Sequence, residues 1–260
     1  MSLKSLLDSP RIAYSLAGAA VLLLLIVLLW PTPRANDPLA DKLRVSAAVS
    51  EAIRTNPEMI VEALQAMQAR QTQMQQQMSQ QAVLANRMAI ERDGESHVGG
   101  NRDGDVTIVE FFDYRCPYCK QAQASVNELL KSDPNIRFVY KEFPILGPES
   151  MIAARAAVAA RNSAYYVAFH DALMTAPSPL TEEAVLKIAG NVGINVSALQ
   201  VEMRRPEIEQ IIAANHDLAQ RLGINGTPAF IIGGTLVPGV MELDEMKQAV
   251  ADMRAMSGRR

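Results

Sequence analysis

Cysteine is almost absent from this chain: Cys116 and Cys119 are the only two in 260 residues. No structural disulfide can exist elsewhere, so this pair does chemistry, binds a metal or is idle. Long runs of Lys or Arg are also missing, and the net charge is −3. Nucleic acid is excluded as a partner on that ground, because phosphate binding needs concentrated positive charge. Aromatic residues are few, at 5%. Ala, Gln and Met are abundant instead, a balance that leans towards helix. The length allows one ordinary domain plus accessory segments.

Charge disappears altogether from Ile12 to Trp30, where Leu22 to Leu29 is unbroken and apolar. As a helix this segment matches a hydrocarbon core of roughly 30 Å. Lys4 and Arg11 precede it and Trp30 stands at an interfacial position. The expectation is a single-pass anchor (12–30) in the inner membrane, with residues 1–11 cytoplasmic and the remainder periplasmic. A cleaved signal peptide is the competing reading. It would carry a shorter apolar core and a small-x-small site, whereas Pro31, Thr32, Pro33 and Arg34 follow here.

Residues 37–93 read as a helical stalk. One helix is expected from about Asp37 to Arg54, with Leu39, Leu43, Val49 and Ile53 as its apolar positions. Asn56–Pro57 then signals a second helix, running to about Arg92. Ile60, Leu64, Met67, Met74, Met78 and Met88 fall on a seven-residue repeat, with Gln71, Gln81 and Ala85 in its gaps. So thin a seam needs cover, either from other copies of the stalk or from the rest of the chain. A homo-oligomer through 37–93 is the favoured expectation. Met74 and Met78 at helical spacing suit copper(I) chemically, but such methionines are more often seam residues.

Gly94 to Gly104 reads as a break and a domain boundary. Val106 to Phe112 is an apolar strand, Cys116–Pro117–Tyr118–Cys119 follows, and Ala122, Val126, Leu129 and Leu130 trace a helix face. Ile136 to Phe143 reads as a second strand. Residues 148–223 read as helix after helix, with Asn162, Thr181 and Pro206 at helix starts. Two short strands then flank Gly233–Gly234, and a last helix carries Leu243, Met246 and Val250. The order is β–α–β, helical block, β–β–α.

A helix start leaves backbone N–H groups unpaired and bears partial positive charge. A thiolate at Cys116 is stabilised there, with Cys119 one turn deeper on the same side. Pro117 in the first turn costs no hydrogen bond and stiffens the loop. Disulfide exchange through a mixed disulfide is the chemistry that follows. C-x-x-C also serves zinc and haem sites, but no second C-x-x-C and no adjacent His is present. Copper(I) capture remains a rival for two soft sulfurs.

Val109–Glu110–Phe111–Phe112–Asp113–Tyr114–Arg115–Cys116–Pro117–Tyr118–Cys119–Lys120, with Tyr140–Lys141–Glu142–Phe143–Pro144 and Gly226–Thr227–Pro228–Ala229–Phe230, resembles the DsbA-like thiol:disulfide interchange family. The likeness is greatest to its C-P-Y-C branch, which includes the ScsC (suppressor of copper sensitivity) proteins. It implies an α/β thioredoxin-like fold with an inserted helical domain, over residues 99–260. It also implies that Pro228 is a cis-proline beside the disulfide, and that Thr227 turns its backbone towards Cys116. Pro117, Tyr118, Thr227 and Pro228 are then the substrate-binding set. Glu110 corresponds to a buried acid that takes a proton from Cys119, making Cys116, Cys119 and Glu110 the catalytic set; the alternative, from strand alternation alone, is a Glu110 that points outwards. Lys141 is placed either to pair with Glu110 or to be solvated.

One departure matters. Strongly oxidising members carry His where Tyr118 stands, and a phenol supplies no comparable positive charge. The disulfide is expected to be less oxidising, which leans slightly towards isomerase or reductase over a simple oxidase. No cofactor or metal is expected. Partners are expected to be exported proteins with cysteines and a membrane redox protein. His97 in the break, and His170 and His216 in the helical block, read as solvated, surface or cap residues.

Overall fold

The structure, a computed structural model, describes residues 21–27 and 38–258. Residues 21–27 are helical. The rest of the expected anchor, and the tail before it, lie outside the described residues. Among the described residues no helix is long and apolar enough to cross a membrane. The chain divides into two compact units between Ala69 and Arg70.

In the first unit α1 (Pro38–Thr55) is followed by the start of α2 (Glu58–Ala85). Asn56 does not cap the second helix with its side chain as expected. Its Nδ2 donates back to the Ala52 carbonyl at 3.3 Å, closing the first helix, while Pro57 leads into the second. Leu43, Val49, Ile53, Ile60, Leu64 and Met67 are all exposed.

In the second unit α2 continues to Ala85, breaks at Asn86 and resumes as the short α3 (Arg87–Glu91). The buried residues here are Val83 and Ile90, while Met88 of the seven-residue seam is exposed. The face that packs is therefore not the face the repeat marks. The expected break from Gly94 to Gly104 contains β1 (His97–Gly100), which pairs antiparallel with β3 (Ile136–Glu142). Two glycines in four residues hid that strand. Gly99 lies against the Tyr140 ring, where a Cβ would come within 2.9 Å of it.

Among the described residues one five-stranded sheet forms, in the order β1-β3-β2-β4-β5. β2 (Val106–Phe112) runs parallel to β3, and β4 (Ala229–Ile232) is antiparallel to β2 and to β5 (Thr235–Pro238). Between β2 and β3 lies α4 (Pro117–Ser132), which buries Cys119, Ala122, Val126 and Leu129 at helical spacing. Ile108, Phe112, Phe138 and Tyr140 meet that helix on one face of the sheet. Val109, Phe111, Val139 and Ile231 meet Leu218, Leu222 and Val83 on the other. Each such large apolar side chain contributes about 1.5–3 kcal/mol when fully buried, so both faces hold the central strands in place.

The helical block comprises α5 (Pro148–Ala159), α6 (Tyr166–Thr175), α7 (Glu182–Asn191), α8 (Val196–Glu202) and α9 (Pro206–Leu222). Thr181 Oγ1 accepts the Ala184 N–H at 3.2 Å at the start of α7, and Asn195 Oδ1 accepts that of Ala198 at 2.9 Å at the start of α8. Asn162 caps no helix, since α6 begins only at Tyr166. Pro206 opens α9 and Gly223, at φ +72°, ends it. The chain closes with α10 (Leu243–Ser257), started by a reciprocal capping box between Glu242 and Glu245.

Candidate active site: two thiols at a helix start

The loop between β2 and α4 is held by one carboxylate. Asp113 is buried and accepts the N–H groups of Arg115 (2.7 Å), Ile145 (2.8 Å) and Leu146 (3.0 Å), and the Ser150 hydroxyl (2.8 Å). Its carbonyl accepts the Cys116 N–H at 3.0 Å. Through these bonds Asp113 ties the cysteine loop to the segment after β3. Arg115 adds a bond to the Leu146 carbonyl at 2.6 Å and an ion pair to Glu149 at 3.1 Å.

Cys116 is the N-cap of α4, with Pro117 at the first helical position. Its S–H donates to the Thr227 carbonyl at 3.2 Å, and the Thr227–Pro228 peptide is cis. Both cysteines are free thiols. Cys119 is wholly buried, and Cys116 is only 4% exposed. Exposure in the C-P-Y-C loop belongs instead to Pro117 and Tyr118.

Beneath the pair, Glu110 is 1% exposed and neither carboxylate oxygen has a hydrogen-bond partner. Burial pushes its carboxyl up to about 8. The Cys119 thiol is pushed far upwards, first by burial and next by the charge of Glu110. Cys119 is thus a sulfur that holds its proton, beside a dry carboxyl whose affinity for a proton is raised. Lys141 does not join them, because Tyr140 and not Lys141 stands opposite Glu110 in the strand register. Its side chain takes the other face, where it is buried and donates to Asp93 Oδ2 (2.5 Å) and the Ala89 carbonyl (2.8 Å). Both sequence readings of Lys141 are corrected by that register.

A second carboxyl lies on the same face as Glu110. Glu142 Oε1 contacts the hydroxyls of Tyr114 (2.9 Å) and Tyr166 (3.0 Å), and Oε2 has no partner. Tyr114 also contacts His170 Nδ1 (3.1 Å). His170 Nε2 faces Gln123 Oε1 (3.0 Å), and Gln123 Nε2 donates to Asp171 Oδ1 (2.7 Å). A buried chain therefore joins the cysteine loop, helix α4 and the helical block. His170 is wholly buried, against the surface position expected of it, and burial lowers it to about 3, so it stays neutral. His97 is not solvated either. Its Nδ1 lies 2.7 Å from the Arg161 carbonyl and its ring stacks on Tyr166. His216 is half-buried, beside the Phe143 ring.

The sequence reading gave no role to Asp113, Tyr114 or Glu142, and it put His170 at the surface. Glu142 carried the same signal as Glu110, an acid on an apolar strand. Among the described residues no cluster of three or more His, Cys, Asp or Glu is placed to hold a metal.

Comparison with known proteins adds three kinds of likeness. The model of the DSBA-like thioredoxin domain matches residues 107–251. A thioredoxin-like oxidoreductase of Silicibacter pomeroyi is 49% identical, with a TM-score of 0.63 over 65% of this chain and 98% of its own. ScsC of Proteus mirabilis, in a transitional conformation, is 26% identical, with a TM-score of 0.63 over 84% of this chain and 99% of its own. The Na(+)/H(+) antiporter NhaA 1 of Salinispora arenicola is 31% identical over 156 residues, which are 59% of this chain but only 24% of the antiporter. The chain thus spans about a quarter of the length of that curated relative.

Proposed function

The chain belongs to the DSBA-like thioredoxin domain family, and from that membership and the geometry of its site we propose that it exchanges disulfides in exported proteins through Cys116 and Cys119. One observation carries the reading: Cys116 caps a helix with its sulfur against the Thr227 carbonyl, while Cys119 lies buried above a carboxyl without partners.

In the reducing direction the Cys116 thiolate attacks one sulfur of a substrate disulfide. A Cys116–substrate bond forms, the substrate S–S bond breaks, and the second substrate sulfur leaves as a thiolate. Glu110, ionised, then takes the Cys119 proton; the Cys119 sulfur attacks Cys116 and the first substrate thiol is released. In the oxidising direction the same steps run backwards, and the proton returns from Glu110 to Cys119. Glu110 is suited to both because a base working near neutral pH needs an affinity near that pH.

Direction depends on how far the thiolate is favoured over the disulfide. Tyr118 is exposed and brings no positive charge, so the dithiol is less oxidising than a site with His in its place. That supports isomerase or reductase activity over simple disulfide donation. An isomerase needs its site kept reduced, which implies a membrane redox partner. The exposed apolar positions of α1 and α2 favour a homo-oligomer through residues 37–93, and the uncharged run of residues 12–30 favours an inner-membrane anchor with the catalytic domain in the periplasm.

Refolding of a scrambled disulfide protein by the wild type and by Cys116→Ser tests the proposal. The wild type restores activity and the serine variant does not; equal performance refutes exchange and leaves binding alone. Equilibration with glutathione then fixes direction. A poise near thioredoxin's supports the isomerase or reductase reading, and one near the strong oxidants overturns it.

A further inference from the structure

Arg115 carries a positive charge one residue before the attacking sulfur, on a Cα about 3.8 Å from that of Cys116. The catalytic reading leaves that charge unused. Two contacts hold its guanidinium: Nη1 donates to the Leu146 carbonyl at 2.6 Å, and Nε lies 3.1 Å from Glu149 Oε2. Glu149 stands in the first turn of α5, where the positive end of a helix favours a negative charge. Its Oε2 is buried and accepts no hydrogen bond, so charge is what joins it to Arg115. The two side chains are 34% and 31% exposed, and water screens them only in part. Other charges near the loop are engaged elsewhere. Asp113 is committed to the hydrogen bonds of Arg115, Ile145, Leu146 and Ser150, and Lys120 Nζ donates to the Ala176 carbonyl at 2.6 Å. Arg115 and Glu149 are left as a balance of opposite charges that one substitution can tip.

Resting on the thiol-exchange reading, we propose that Arg115 and Glu149 are positioning residues that set the redox poise of the dithiol, Arg115 favouring the Cys116 thiolate and Glu149 cancelling most of that effect. A cation beside a thiol favours its ionised form. Whatever favours the thiolate favours the reduced state over the disulfide, so an unanswered Arg115 would make this disulfide a stronger oxidant. Glu149 answers it. The mildness of the site then has two sources: a position, Tyr118, that offers no positive charge, and a cation at Arg115 that is present but neutralised. The range is short enough to matter. Groups on adjacent residues interact over about 5–10 Å, within the Debye length of about 10 Å at 0.1 M salt. At that range, partly screened, one charge changes an equilibrium by a factor of about 3 to 10.

Equilibration of the full chain with glutathione tests this, at about pH 8, where a thiol at a helix start is ionised. Two glutathione thiols give two electrons to the Cys116–Cys119 disulfide and leave joined as glutathione disulfide. Of their two protons, one goes to Cys119 and one to solvent, because Cys116 stays ionised. At about 0.02 M salt Glu149→Gln shifts the equilibrium towards the dithiol by about 3-fold or more. Arg115→Gln shifts it towards the disulfide by about 3-fold or more. The double variant returns to within about 2-fold of the wild type. At 1 M salt, where the Debye length is about 3 Å, each single shift shrinks below about 2-fold. Shifts of the same sign in both single variants overturn the proposal, because they mean a loosened loop and not a change of charge. Shifts that persist at 1 M salt overturn it too, as does no shift in either variant. A wild type that reaches no redox equilibrium with glutathione sinks the exchange reading itself. Folding of each variant is checked by circular dichroism. Should Arg115→Gln unfold, Glu149→Gln carries the test through its shift and its response to salt, since the bonds of Asp113 and of Arg115 to Leu146 remain.

Discussion

Replacing Glu110 by Gln removes a proton site without changing shape, and its effect on the pH dependence of stability can be worked out. In the unfolded chain this carboxyl has its ordinary value of 4.5; in the folded chain burial raises it to about 8. Below the first value both states are protonated and nothing is lost. Between the two the folded state holds the extra proton, so stability falls as pH rises, and above the second the loss is complete. Each pH unit in that window costs about 1.4 kcal/mol, so from about pH 5 to about pH 8 the wild type loses roughly 3 kcal/mol through this group. Glu110→Gln does not. A buried amide has its own desolvation cost, so the informative quantity is the change with pH and not the absolute stability. Urea unfolding of the reduced wild type and variant at both pH values should show their difference shifting by roughly 3 kcal/mol in favour of Gln. Parallel pH profiles would refute the argument that Glu110 is buried as an acid. The same substitution should slow the attack of Cys119 on a trapped mixed disulfide by roughly 100-fold, the usual contribution of a positioned base.

Two further substitutions separate the loop that bears Cys116 from its supports. Tyr114→Phe deletes the hydroxyl that touches both Glu142 and His170 and should cost about 2 kcal/mol in urea unfolding. Tyr166→Phe deletes one contact to the same carboxyl oxygen and should cost about 1 kcal/mol. Only the first should slow exchange with glutathione, because Tyr114 lies in the cysteine loop and Tyr166 in the helical block. On the opposite face of the sheet, Asp93→Ala removes the carboxylate beside the buried Lys141 ammonium and leaves its bond to the Ala89 carbonyl, and should destabilise by about 3 kcal/mol. Lys141→Met removes the buried charge and should cost far less; equal losses would mean that the ion pair itself, and not the stranded charge, sets the energy.

The strands and the cysteine helix were legible because their signals are local. Val106 to Phe112 and Ile136 to Phe143 are apolar runs, and Ala122, Val126 and Leu129 repeat at helical spacing. Helix α7 was legible at its start because Thr181 caps with its own side chain. What stayed hidden depends on contacts between distant segments. β1 is short and half glycine, and becomes a strand only by pairing with β3. Lys141 and Glu110 looked like partners in a strand pair of unknown register; one residue of offset puts them on opposite faces. The seven-residue seam that runs through α2 to Met88 of α3 marked one face, but packing against α9 selected Val83. His170 looked ordinary because nothing near it in sequence reveals Tyr114 and Gln123 as its neighbours.

The hydrogen-bond chain through His170 fixes the proton on Glu142, by counting donors. Gln123 donates its amide to Asp171 Oδ1, so its oxygen faces His170 Nε2. A neutral imidazole must then carry its hydrogen on Nε2 and leave Nδ1 as an acceptor. Tyr114 has a single O–H. Given to Nδ1, it leaves two oxygens, those of Tyr114 and Glu142, 2.9 Å apart without a hydrogen unless the carboxyl is protonated. Given to Glu142 instead, it strands a buried imidazole nitrogen against the phenol oxygen, 3.1 Å away. Only a neutral carboxyl satisfies every member: Glu142 to Tyr114, Tyr114 to His170, His170 to Gln123, Gln123 to Asp171, with Tyr166 donating to Glu142. Burial acts in the same direction, holding this carboxyl well above its ordinary range. Two neutral acids therefore lie on one sheet face. Glu110, without partners, is free to exchange its proton, whereas Glu142 is locked into a directional chain. Infrared difference spectra at neutral pH should show a carboxylic-acid C=O band that is lost in Glu142→Gln and kept in Glu110→Gln. A carboxylate band lost in its place would mean that the chain runs the other way, and that Glu142 faces Tyr114 as a charge.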